Sequence, residues 1–232
     1  MTTLQVKNLV VQRAGLPVVR GATLSVAPAS VSVLLGANGA GKTTLLESLS
    51  GVTRHAGGQI ELDGEPIGGL RAGGRARRGL AHVEQGRTVF RTLTTDENLR
   101  AARRDADPAE AYALFPELQK RRSVSAGLLS GGEQQMLVIA RALLTRPKAL
   151  MIDEMSAGLA PVVVNRLMAA VRKLANDGLA VLLVEQFAAL ALAIGDRAYV
   201  LRRGRIVYDG ASSTLAQSPE LLHRLYLGDH AA

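Results

Sequence analysis

One run of residues limits the folds open to this chain more than any other: Gly36-Ala37-Asn38-Gly39-Ala40-Gly41-Lys42-Thr43, followed by Thr44. It satisfies the spacing G-x-x-x-x-G-K-[ST], follows the unbroken apolar stretch Val31 to Leu35, and leads into Leu45, Leu46 and Leu49 at helical spacing. Strand, glycine-rich loop and helix in that order make a phosphate cradle. The glycines let the backbone turn with its N–H groups inward, and the helix start adds the positive end of its dipole. Lys42 is then placed to reach the β and γ phosphates of a bound nucleotide, and Thr43 to put its hydroxyl on Mg²⁺.

A second apolar stretch, Ala149-Leu150-Met151-Ile152, ends in Asp153-Glu154. An acid after an apolar strand is common and often only caps a sheet. Paired with the glycine-rich loop, Asp153 is expected to hold the magnesium shell and Glu154 to orient or deprotonate a water attacking the γ phosphate.

Val31 to Leu35, Ala149 to Ile152 and Leu179 to Val184 are apolar throughout, as strands buried on both faces of an α/β sheet are. Residues 4–11 and 23–26 alternate instead, and Ile60 to Glu65 carries an Asp-Gly hairpin signal at Asp63-Gly64, which predicts an antiparallel opening section. A last hairpin is expected over Tyr199 to Tyr208, ahead of a helical tail. Between the first two buried strands lie three helix starts: Thr94 with Glu97, Asp107 with Pro108 and Glu110, and Ser130 with Glu133. Residues 87–145 therefore read as a helical insertion in one domain whose core is 1–86 and 146–232. Gly68, Gly69, Gly73, Gly74 and Gly79 among arginines predict a flexible stretch upstream of it.

Composition removes several chemistries. There is no cysteine, which excludes disulfide scaffolds, thiol catalysis and thiolate metal sites, and the four histidines His55, His82, His223 and His230 are scattered. The longest apolar run, Phe187 to Ile194, is far short of the about 20 residues of a spanning helix. Met1 to Gln5 lacks the basic and apolar blocks of a secretory leader, so a cytoplasmic chain is expected. The formal charge of +8 gathers in Arg71, Arg75, Arg77 and Arg78, in Arg100, Arg103 and Arg104, and in Lys120, Arg121 and Arg122. Charge runs face water as a rule. With aromatic content at 3%, the stacking platforms of single-stranded nucleic acid binders are mostly missing, and no nucleic acid partner is expected.

Leu129-Ser130-Gly131-Gly132-Glu133-Gln134-Gln135 resembles the signature of ATP-binding cassette (ABC) transporter ATPases. Physically, Ser130 and the amides of Gly131 and Gly132 at a helix start make a second anion site. The resemblance, from about residue 4 to residue 226, implies a P-loop NTPase of the ABC type: a mixed central sheet flanked by helices, with an antiparallel β subdomain and an inserted α-helical one. It also implies that the Ser130 to Glu133 turn faces the γ phosphate of ATP held by an opposite subunit. Gln85 then falls at the glutamine that contacts Mg²⁺ and senses the transmembrane partner. Ser156-Ala157-Gly158-Leu159-Ala160-Pro161 is similar to the loop that crosses the dimer interface. That loop, with Glu185-Gln186, Val89-Phe90 and Glu97-Asn98-Leu99, resembles the second ATPase subunit of branched-chain amino acid importers.

Several departures stand out. Gln186 occupies the switch-histidine position; it can donate to a phosphate but does not titrate. Arg13 replaces the adenine-stacking aromatic; its guanidinium either stacks on the base or is an exposed charge beside an unclamped adenine. Met155 and Glu84 replace prolines and are expected to loosen their loops. The span from Gln85 to Ser130 is also about ten residues shorter than the subfamily implies, which points to a different partner or substrate, and Gln85 itself, where amino acid relatives carry glutamate, leans toward urea importers.

The resemblance thus implies an ATPase that binds ATP and Mg²⁺, pairs with a sister ATPase or itself, and powers import through membrane permease subunits served by a solute-binding protein. It would sit peripherally on the inner face of the cell membrane. An ABC exporter ATPase and a soluble ABC ATPase of DNA repair or ribosomes are the rival readings.

Overall fold

The computed structural model describes residues 3–227; Met1, Thr2 and His230 lie outside the described residues. In chain order the elements are β1 (Leu4–Arg13), β2 (Leu16–Val26), β3 (Ser30–Leu35), α1 (Lys42–Ser50), β4 (Gly57–Leu62), β5 (Glu65–Pro66), α2 (Ala72–Arg78) and β6 (Leu80–Val83). Then come α3 (Thr95–Arg100), α4 (Pro108–Leu114), α5 (Pro116–Lys120), α6 (Gly131–Leu143), β7 (Ala149–Asp153), α7 (Pro161–Asn176) and β8 (Ala180–Val184). The chain closes with α8 (Ala188–Ile194), β9 (Arg197–Arg202), β10 (Arg205–Ala211), α9 (Ser212–Ala216) and α10 (Pro219–Leu227).

Two sheets result. One is antiparallel, in the order β2-β1-β4-β5, and the other is six-stranded, β10-β9-β3-β8-β7-β6. In the larger sheet the strands from β9 to β6 run parallel and β10 is the antiparallel edge, so the sheet is mixed. Successive side chains of a strand point to opposite faces. Here both faces are apolar: Val31, Val33, Leu150, Ile152, Val181 and Leu183 join one core with the helical layer, while Leu34, Met151, Leu182 and Val184 join another with α1 and the antiparallel sheet. Tyr199 on β9 ties the two sheets together, its hydroxyl donating to the Ser25 carbonyl at 2.9 Å and accepting from the Ser25 amide at 3.0 Å.

Local chemistry explains the element ends. Asp63 and Gly64 join β4 to β5 with φ of 50° and 80°, both central residues left-handed as the tight hairpin turn requires. Capping boxes start α3 and α6, with the Glu97 amide 3.2 Å from the Thr94 hydroxyl and the Glu133 amide 3.3 Å from the Ser130 hydroxyl. Asp107 caps α4 through the Ala109 amide at 2.9 Å, and Glu110 takes no part in a box there.

The glycine and arginine stretch departs from the sequence expectation. It is ordered into α2, and the strand β6 follows, which the apolar pattern of Leu80-Ala81-His82-Val83 was too short to announce. Arg75 supplies the reason. Although it belongs to a charge run expected to face water, it is 2% exposed. Its guanidinium donates to the carbonyls of Ser48, Leu49 and Gly68 at 2.6, 2.7 and 2.7 Å, and to Leu70 at 3.0 Å. Two of these acceptors are carbonyls of the last turn of α1, the negative end of that helix. The tie outweighs the cost of Gly73 and Gly74 inside a helix, about 1 kcal/mol each.

Replacing Arg75 by Met removes that donor from all four carbonyls, and of the two on α1 Ser48 keeps only the Gly51 amide at 3.3 Å. The expected result is a loss of about 3 kcal/mol in urea unfolding, while a variant within about 1 kcal/mol of wild type would count against the tie.

Candidate nucleotide site

Register across the sheet levels the residues that matter. Leu34 of β3 and Asp153 of β7 both pair with Val184 of β8, so the chain leaves all three strands at one height. The glycine-rich loop begins there and ends at α1. Gly36 is packed so closely on β9 that a Cβ would lie 2.4 Å from the Leu201 carbonyl oxygen, and Gly41 caps α1 at φ 107°. Ala37, Asn38 and Gly39 are exposed and Ala40 is buried beneath them.

Lys42 is 5% exposed. Its ammonium donates to the Gly36 carbonyl at 2.9 Å and to Ala37 at 3.4 Å, and lies 3.6 Å from a Glu154 carboxylate oxygen. The other Glu154 oxygen accepts from Gln85 Nε2 at 2.8 Å, across 69 residues of sequence. Glu154 holds this position at φ 47°, with its amide on the Val184 carbonyl at 2.9 Å. Lys42, Gln85 and Glu154 thus form one cluster.

Asp153, next in the strand, is 1% exposed, and neither carboxylate oxygen has a hydrogen-bond partner among the described residues. Burial pushes its pKa up, and the neighbouring Thr43 hydroxyl offsets part of that rise. A buried carboxylate without partners, beside a hydroxyl and a phosphate loop, suits a hard cation that completes its shell with phosphate oxygens and water. Among the described residues no group of three acidic or histidine side chains could hold a metal alone. The donor set therefore fits Mg²⁺ arriving with a nucleotide, through Thr43, Asp153 and Gln85.

Other expected residues lie elsewhere. The Ser130 to Glu133 turn starts α6 outside this cluster, its capping box closed by the Ser130 amide on Glu133 at 2.8 Å. Gly132 has no room for a side chain, since a Cβ would come within 2.7 Å of Val163. Gln186 is exposed. The Arg13 guanidinium pairs with Glu47 on α1 and stays about half exposed, its edge engaged and its face open. Met155 is 1% exposed in the helical-layer core, and it anchors its turn where loosening was expected.

Glu185 enters the sequence reading only as part of the Glu185-Gln186 resemblance, with no role of its own, one residue past a fully buried strand. It is fully buried, and its carboxylate accepts from the Ser156 amide at 3.1 Å and hydroxyl at 2.6 Å, clamping the turn that follows Glu154. Burial raises its pKa, the two Ser156 bonds oppose the rise, and the Glu154 charge adds to it.

A parallel sheet with a glycine-rich loop on its carboxyl edge, a buried lysine in that loop and two acids on a neighbouring strand define a nucleotide-hydrolysing cassette. The chain matches the ABC transporter family over residues 19–157 and belongs to it, as an ATP-binding and ATP-hydrolysing member. It is 41% identical over 213 residues to the high-affinity branched-chain amino acid transport ATP-binding protein BraG of Pseudomonas aeruginosa, covering 89% of this chain and 91% of that protein. It is 35% identical over 238 residues to the lipopolysaccharide export system ATP-binding protein LptB of Escherichia coli, covering 99% and 98%. The solved structure of a nucleotide-free ATP-binding cassette from an ABC transporter superposes with a TM-score of 0.87 at 24% identity, over 99% of this chain and all of that one, a likeness of fold.

Because a raised carboxylate pKa means that the folded chain binds its proton more tightly, Asp153 costs stability as pH rises above the ordinary carboxylate range. Without Mg²⁺ at neutral pH, Asp153→Asn is expected to melt about 2–4 °C above wild type, the shift that ~1 kcal/mol produces at this size. That gap should shrink on acidification, and the variant should lose thermal protection by MgATP. A lower melting temperature at neutral pH would contradict the assignment.

Proposed function

We propose that this chain is the ATPase subunit of an importer for branched-chain or related amino acids, working as one of a pair of ATPase subunits beneath separate membrane permeases. The convergence of Lys42, Gln85 and Glu154 beside the partnerless carboxylate of Asp153 carries the catalytic part of the reading. Lys42 and the amides from Gly36 to Thr44 hold the phosphates, and Glu154, positioned by Gln85, orients and deprotonates the attacking water. Thr43, Asp153 and Gln85 would hold Mg²⁺, which would supply charge neutralisation at the phosphate oxygens. Gln186 donates to the developing charge. The Ser130 to Glu133 turn serves the nucleotide of the paired subunit, because it stands apart from the Lys42 cluster in its own chain.

Support for the substrate class comes from the 41% identity to BraG and from the 38% identity, over 86% of this chain, to the probable branched-chain amino acid transport ATP-binding protein LivF of Archaeoglobus fulgidus. A urea importer is a second reading, favoured by Gln85, and export a third, favoured by the full-length similarity to LptB. No helix among the described residues is long and apolar enough to cross a membrane, which agrees with attachment through permeases. A groove of about 890 Å³ between the sheet and the helical layer, bordered by Arg77, Arg78, Phe90, Arg103 and Arg141, offers such a subunit a seat.

Co-purification with membrane subunits, followed by a solute screen on the associated binding protein, tests the assignment. Leucine-class ligands support it; urea or a lipid-export complex replaces it. Glu154→Gln is expected to bind ATP as wild type does while turnover falls roughly a hundredfold or more; near-normal turnover would remove the base role. Gln186→His should introduce a pH dependence of turnover between about 6 and 7, and superimposable profiles would argue against a phosphate contact at that position.

A further inference from the structure

Arg87 lies two residues beyond Gln85, on the segment that leaves β6. Its backbone stands at φ 54°, a left-handed conformation that costs a residue with a Cβ about 1–2 kcal/mol. Such strain persists where surrounding contacts hold it, and here the guanidinium makes them. Nη2 donates to the Ala157 carbonyl at 2.6 Å. Nη1 fills the space over Gly131, where a Cβ would come within 2.6 Å of it, and Nη2 is 3.6 Å from the equivalent position on Gly158.

One side chain thereby joins three segments distant in sequence: the turn after β6, the turn after β7 and the start of α6. A side chain at Gly131 would displace the guanidinium from this place. Of the five N–H donors of the guanidinium, one is spent on Ala157, and no carboxylate pairs with it among the described residues. Its charge is left beside the Ser130 to Gly132 turn.

We propose that Arg87 is a positioning residue of the paired ATP site, fastening Ala157 and Gly158 to the Ser130–Gly131 turn so that both meet a second ATPase subunit as one preformed face. The proposal rests on the paired reading above. Arg87 acts between subunits, and the Lys42 cluster of its own chain does not need it.

The test uses the full chain with any ATPase that co-purifies with it. Glu154→Gln, alone and combined with Arg87→Ala or Arg87→Lys, is titrated with MgATP while pairing is followed by sedimentation. Nucleotide binding is measured separately at chain concentrations too low for pairing. Arg87→Ala is expected to raise the MgATP concentration for half-maximal pairing about tenfold, because the turns it releases must be ordered again when the chains pair. Single-chain nucleotide affinity should stay near that of the parent while the melting temperature falls modestly with the lost Ala157 bond, and Arg87→Lys should recover most of the pairing loss. Unchanged pairing in Arg87→Ala, or a pairing defect matched by an equal loss of single-chain binding, overturns the proposal. If Arg87→Ala does not fold, Arg87→Gln, which keeps a donor but is too short to cover Gly131, takes its place: a selective pairing defect supports the proposal, and unchanged pairing overturns it. Should Glu154→Gln itself fail to pair, the paired reading falls, and the role of Arg87 with it.

Discussion

Hydrogen bonding across β3, β8 and β7 places Leu34, Val184 and Asp153 on a single rung, and the site depends on that register. Just beyond that rung, each chain turns out of the sheet: β3 toward Gly36, β8 into Glu185, β7 into Glu154. A slip of one residue in any strand would reverse its faces, and the apolar side chains on both sides forbid it. Burial of hydrocarbon is thus what aligns the glycine-rich loop, the Glu154 carboxylate and the buried Glu185 clamp at one edge of the sheet.

Charge is admitted to this interior on differing terms. Arg75 has four carbonyl acceptors, Glu185 has the amide and hydroxyl of Ser156, and Lys42 has the loop carbonyls with Glu154 near. Each is compensated by groups of its own chain, and each holds a turn or helix in place. Asp153 is the contrast, buried with no partner for either oxygen among the described residues. An interior that satisfies the others so fully leaves this carboxylate to a ligand, in keeping with the rule that uncompensated buried charge costs stability and is retained at sites of function.

Much of this is legible in the sequence. Val31–Leu35, Ala149–Ile152 and Leu179–Val184 announce buried strands because two-sided burial removes polar residues from both faces. The phosphate loop and both capping boxes are legible because their chemistry is local, resting on groups three to seven residues apart. What stays hidden depends on long-range partners. The glycines of α2 spell flexibility until Arg75 finds carbonyls of α1, more than twenty residues back. Gln85 and Glu154, Glu185 and Ser156, and Arg87 with Ala157 and Gly131 meet only after the sheet forms. The pairing of Arg13 with Glu47 is hidden for the same reason, since nothing in its sequence neighbourhood names that partner.

The two apolar cores lie on opposite sides of one sheet, with Ala40, Leu45, Leu46 and Leu49 of the nucleotide loop and its helix on one side and the helical layer from α3 to α6 on the other. The sheet therefore works as a bulkhead. The outward surface of the helical layer can change without touching the packing behind the wall, around the glycine-rich loop and α1.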